Sequence, residues 1–167
     1  MSHVFVGVKT HVVTAVEMSD RDQNDCPLLP SLLNKTKENF DIKELSADKQ
    51  YASMVNFDAV NTIGADAFID FRVTTTGKCG GMFQKAFHFF SLYREEFLQS
   101  YHKRSNVEST FSMIKRKFGD SVRSKTDVAM RNEVLCKILC HNICCLISAM
   151  FELAIDPALN GARSCVR

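Results

Sequence analysis

The sequence predicts an α/β fold in which a mixed sheet with flanking helices is followed by C-terminal helices. Three observations predict it. Two β-branched, apolar runs stand next to each other at the start, residues 3–8 (HVFVGV) and 11–18 (HVVTAVEM), as an antiparallel pair does. Strand and helix periodicities then alternate as far as Val73. Beyond the turn-rich residues 74–81 (TTTGKCGG), nearly every segment carries helical spacing.

Each element has its own signal. Lys9-Thr10 joins the first two strands, and residues 19–25 form a polar loop. Asp25 stands before Cys26-Pro27, placed to cap a helix reaching about Phe40, because proline is tolerated in a first turn. Residues 42–47 form a short strand ending at Asp48. From 53 to 62, Met54, Phe57, Val60 and Ile63 recur at helical spacing, and Gly64 stops the helix. Residues 67–73 (AFIDFRV) are a further strand. The Phe-rich residues 82–93 follow the hinge and read as core or an interface. A long helix is expected over 105–118, broken at Gly119-Asp120, and a second over 127–153, ended by Asp156-Pro157. Lys137, His141 and Asn142 interrupt the most apolar stretch, 134–153, so it reads as a core helix, and no run approaches the roughly 20 apolar residues that span a bilayer. These elements divide the chain into a partial α/β core (1–73), a loop and Phe-rich connection (74–100), a helical part (101–157) and a tail (158–167).

A chain of 167 residues with 46% apolar and 24% charged side chains can bury one core, which excludes disorder as the default. Seven Gly and three Pro exclude a collagen-like chain. The first residues show no basic stretch followed by an apolar one, so a cytoplasmic address is expected and no membrane partner. Five of the seven Cys crowd the last third, which suits reduced thiols better than a disulfide framework. Cys136, Cys140 and Cys144 are spaced by four, unlike a paired zinc or cluster motif, and read as a packed apolar stripe with Ile143 and Ile147; His141 is expected to be hydrogen-bonded. His88 and His102 have no partners at metal-ligand spacing.

The net charge of +2 hides an asymmetry. From Tyr101 to Lys137 nine basic residues face four acidic ones, the footprint of a surface that meets a polyanion. Within it, Tyr101, Arg104, Glu108 and Lys115 are separated by 3, 4 and 7 residues, spacings that return to one helix face. A carboxylate between cations can hold a divalent ion while Arg and Lys neutralise phosphates. The same residues also admit a structural reading: Ser105-x-x-Glu108 is a capping box, with Lys115 an ordinary surface cation.

The four residues in this order and spacing resemble the signature of DDE-type insertion-sequence transposases, and the whole run YHKRSNVESTFSMIK is similar to that family. Ser46-Ala-Asp48-Lys-Gln-Tyr51 is similar to the segment carrying the family's second catalytic Asp, and the likeness extends from Gly7-Val-Lys-Thr10 through Met130-Arg-Asn-Glu133 to about Pro157. The resemblance implies a ribonuclease-H-like mixed sheet with Asp48 and Glu108 as second and third acids of a DDE triad and as ligands of a two-metal Mg²⁺ or Mn²⁺ site. It further implies that Tyr101, Arg104 and Lys115 contact DNA backbone near the transposon end. Other expected partners are target DNA and a second copy or a full-length transposase, with a cytoplasmic, nucleoid-associated location.

Three departures stand out. The first Asp, expected on a strand before residue 3, has no counterpart, so the fold is expected to lack its first strand. Asp20, Asp22 and Asp25 lie in a loop where the fold does not place that ligand. Gln50 stands where the family has Gly, and Asp70 where it has Pro. The chain is accordingly expected to be the C-terminal portion of a transposase and not to cleave DNA alone. The alternative is a non-catalytic module that binds DNA or pairs with a full-length transposase.

Overall fold

In the computed structural model, residues 2–19 and 24–153 are described. The strands are β1 (Ser2–Val6), β2 (Val13–Met18), β3 (Glu44–Ala47) and β4 (Asp66–Ile69); the helices are α1 (Leu29–Lys37), α2 (Met54–Thr62), α3 (Gly81–Leu92), α4 (Arg94–Tyr101), α5 (Ser105–Phe118) and α6 (Asp127–Glu152). Single helical turns lie at Cys26–Leu28, Lys49–Tyr51, Gly77–Cys79 and His102–Arg104. The chain forms two compact units, Met1–Ser112 and Met113–Arg167.

The first unit is a mixed α/β body, but its strands do not join into one sheet. β1 pairs antiparallel with β2, and β3 pairs parallel with β4, giving two two-stranded sheets where the sequence predicts one mixed sheet. Phe5 and Val6 of β1 and Glu44, Leu45 and Ser46 of β3 line the same cavity of about 700 Å³. The period-2 pattern sets which face of a strand is buried, but not which strand lies beside it.

The core of this unit forms where α1, α2 and α3 cover the β3–β4 pair. Leu29 and Leu33 of α1, Leu45 and Ala47 of β3, Phe57 and Val60 of α2, Ile69 of β4, Phe71 and Phe83 are buried together. Phe57 and Phe71 stack at 5.4 Å, and Phe83 meets both rings edge-on. Within the Phe-rich stretch Phe83 is therefore core, with Phe87 and Phe90 partly buried against it, and a ring taken fully out of water contributes about 1.5–3 kcal/mol. The Ser53 hydroxyl caps α2 by accepting from the Asn56 N–H at 3.2 Å, and Gly64 (φ +77°) ends that segment in a conformation that favours glycine.

The second unit corrects one expectation. α6 reads in the sequence as a core helix with a buried Cys stripe, yet its buried residues are Ile138 and His141 alone, while Cys136 and Cys140 are exposed and Leu139 is 60% exposed. An apolar helix is buried only where another element covers it, and hydropathy does not supply that element. By length and composition α6 is also long and apolar enough to cross a membrane, which the sequence reading did not expect. His141 Nε2 lies 3.4 Å from the Cys145 sulfur. Asp20, Asp22, Asp156-Pro157 and the tail lie outside the described residues.

Candidate active site

Parallel pairing runs from Glu44 opposite Asp66 to Ala47 opposite Ile69, so Asp48 and Asp70 follow the paired strands at the same end. Sites in parallel α/β sheets lie there, beyond the carboxyl ends of the strands. Asp48 leaves β3 extended and opens the turn Lys49–Tyr51; its Oδ1 accepts from the Gln50 N–H at 3.4 Å and its carbonyl from the Tyr51 N–H at 2.9 Å. Gln50 makes this bend without left-handed backbone, since His11 is the single non-glycine residue with positive φ among the described residues. The departure from Gly therefore leaves the turn intact.

Behind the turn, the Tyr51 hydroxyl lies 3.0 Å from His3 Nδ1, and His3 Nε2 lies 2.8 Å from the Ser19 hydroxyl and 3.3 Å from Asp25 Oδ1. Burial, then the nearby Asp25 and Asp48 carboxylates and Cys26, push the Tyr51 phenol up to about 12, so it stays neutral at physiological pH. Asp25 thus serves His3 and makes no side-chain cap on the turn at Cys26–Leu28, contrary to the sequence reading.

The other half of the site comes from α4, the turn His102–Arg104 and α5. The Ser46 hydroxyl donates to the Ser100 carbonyl at 2.8 Å, and Lys103 pairs with Glu44, so this turn is tied to β3. Phe97 is buried and the Tyr101 ring stacks on it at 5.5 Å. Arg104 Cζ lies 5.8 Å from the Tyr101 ring centre. Its Nη1 is 3.5 Å from Asp48 Oδ2 and its Nη2 is 3.3 Å from Glu108 Oε1. One guanidinium thus joins two carboxylates that are 60 positions apart.

Burial pushes the Tyr101 phenol up; Arg104 opposes this, while the Asp70 and Asp48 carboxylates add to it. The capping-box reading does not describe Glu108, whose carboxylate meets Arg104 while the Ser105 hydroxyl donates to the His102 carbonyl at 2.9 Å. His11 Nδ1 lies 3.0 Å from the Thr110 hydroxyl, which fixes the start of α5 against the hairpin loop. Lys115 is exposed on α5, within the second unit.

A family model described as Transposase DDE domain matches residues 1–143. The chain belongs to the DDE transposase family. No curated protein and no solved structure matches it. Transposase membership assigns the chain to DNA transposition, with DNA as its partner, and the family works with divalent metal ions.

The candidate site fits such an ion in its donor chemistry. Asp48 and Glu108 offer hard oxygen ligands, and the place between them already attracts a cation, the Arg104 guanidinium. No group of three His, Cys, Asp or Glu able to hold a metal occurs among the described residues, so two carboxylates are what this pair brings.

Sequence reasoning missed the supports of the site. His3, Ser19 and Tyr51 hold the turn after Asp48, and Ser46, Ser100 and Lys103 hold the turn before α5; such polar contacts across 16 to 59 positions leave no local pattern. It also missed the task of Glu133 in the second unit. This carboxylate accepts from the Arg123 N–H at 3.0 Å, and from the Ser124 N–H and hydroxyl at 2.9 Å each, and pairs with Lys137 at 3.3 Å. The Lys137 amine in turn donates to the Ser121 carbonyl at 2.7 Å, so the loop before α6 is clamped to the helix. The family-like run Met130-Arg-Asn-Glu133 was the available signal.

Proposed function

We propose that this chain carries the DNA strand cleavage and transfer site of a DDE transposase, with Asp48 and Glu108 as two of its acids and Tyr101, Arg104 and Lys115 as its DNA-backbone contacts. The observation that carries the reading is the convergence of Asp48 and Glu108 on one guanidinium. A ribonuclease-H-like arrangement is consistent with an acid at the end of β3 and another in the first turn of α5.

The residues divide the work by chemistry. Asp48 and Glu108 would hold Mg²⁺ or Mn²⁺, which when bound supplies Lewis-acid polarisation of a phosphoryl oxygen and a more acidic water. Tyr101 keeps its proton at neutral pH and can donate it in a hydrogen bond to a phosphate oxygen. Arg104 presents a planar fork suited to phosphate, and Lys115 a point charge; both position the backbone without reading its sequence. The exposed Leu139 and Leu146 of α6 give the chain an apolar surface for a further copy or a full-length transposase. On this reading the work would be done in the cytoplasm, with the nucleoid DNA.

The test is duplex binding as a function of salt. Replacing Arg104 and Lys115 by Ala should weaken binding and reduce the slope of log K against log salt by about one unit for each lost phosphate contact. An unchanged slope would leave both residues as surface cations.

A further inference from the structure

The guanidinium of Arg104 occupies the place that a cation bound by Asp48 and Glu108 would take. Its two terminal nitrogens face different carboxylates, at 3.5 and 3.3 Å. We propose that Arg104 is an internal counter-cation: it keeps the two carboxylates together in the ion-free chain, competes with a divalent ion for them, and is released to a DNA phosphate when the ion binds. This rests on the reading of Asp48 and Glu108 as one site.

Three features make the exchange feasible. The Arg104, Asp48 and Glu108 side chains are 34%, 40% and 68% exposed, so water already screens these pairings and they are weak enough to be displaced. The backbone need not move, because the turn His102–Arg104 is held separately by Lys103 on Glu44 and by the Asn106 amide on the Lys103 carbonyl at 2.9 Å. The freed guanidinium also stays beside the Tyr101 ring, whose face attracts cations. Without any cation, the two carboxylates would repel each other. By linkage, whatever draws Arg104 away must favour the ion, and the ion must favour a phosphate on Arg104, by the same factor.

Mn²⁺ binding without DNA, read by the resonance of free Mn²⁺, tests the proposal. Arg104→Gln should bind Mn²⁺ more tightly than the wild type, on the order of tenfold for two exposed pairings. Arg104→Lys, which keeps the charge but loses the fork, should change less. Lys103→Gln, which removes a neighbouring cation paired elsewhere, should leave affinity as it is. Affinity in Arg104→Gln no tighter than wild type, or an equal gain in Lys103→Gln, would overturn the proposal. Asp48→Asn and Glu108→Gln report on the underlying site: if neither weakens Mn²⁺ binding, the site assignment fails and the competition with it. A second measurement needs no variant. The Arg104 Nε–Hε signal of the wild type should shift with Mg²⁺ along the binding curve, and a signal that stays put while Mg²⁺ binds would count against release.

Discussion

Glu133 shows how much a single side chain can carry without any burial argument. Hydrogen bonds from the backbone and hydroxyl of Ser124 and from the Arg123 N–H, with Lys137 adding less, hold its carboxyl down at about 2, against an ordinary 4.5. A carboxyl lowered in the folded chain stabilises above its unfolded pKa and loses that contribution as pH falls through the folded one. Acidification from about 4.5 to about 2 should therefore loosen the clamp before α6, and thermal midpoints measured across that window should fall less in Glu133→Gln than in the wild type. Parallel curves would show that the clamp contributes nothing. In the first unit the decisive residue is Phe57, 2% exposed between Phe71 and Phe83. Phe57→Ala should cost about 3–5 kcal/mol in urea unfolding, because the cavity adds to the lost burial; a cost below 1 kcal/mol would mean that the ring stack closes over the gap.

At the scale of elements, α5 was fully legible: the predicted 105–118 is the observed Ser105–Phe118, since its apolar spacing is local and Gly119 ends it at φ +83°. A Cβ at Gly119 would meet nothing within 4 Å, so Gly119→Ala should cost only the left-handed backbone, about 1–2 kcal/mol, in a denaturation measurement. A neutral substitution would show that the chain leaves α5 by another route. The strand ends were less legible: 3–8 shortens to Ser2–Val6 with an irregularity between Phe5 and Val6, and 67–73 to Asp66–Ile69. Asp70 closes the latter by accepting from the Phe71 N–H at 2.9 Å, a side-chain bond that competes with the ladder. What the sequence could not convey was non-local: that β1 and β3 do not pair with each other, and that α6 is left largely uncovered.

For the whole molecule, family membership gives a transposase, and the convergence of two distant acids on Arg104 supports the proposal that they form its site. Asp48 and Glu108 stand out in the sequence because their surrounding motifs resemble a family. Their juxtaposition was not, because it depends on α4 and the turn His102–Arg104 docking on β3 through Ser46 and Glu44. Ser46 and Glu44 lie close to Asp48 in the sequence, but no local pattern names Ser100 and Lys103 as their partners. Asp70, which stands where the family has Pro and closes β4, also lies at the same sheet end as Asp48 and acts on the Tyr101 phenol. The most direct test of the central claim is an anomalous difference map from crystals of the chain soaked in Mn²⁺. The account predicts a peak liganded by both Asp48 and Glu108, with the Arg104 guanidinium moved off them; a peak elsewhere, or Arg104 still joining the two carboxylates at saturating Mn²⁺, would contradict it.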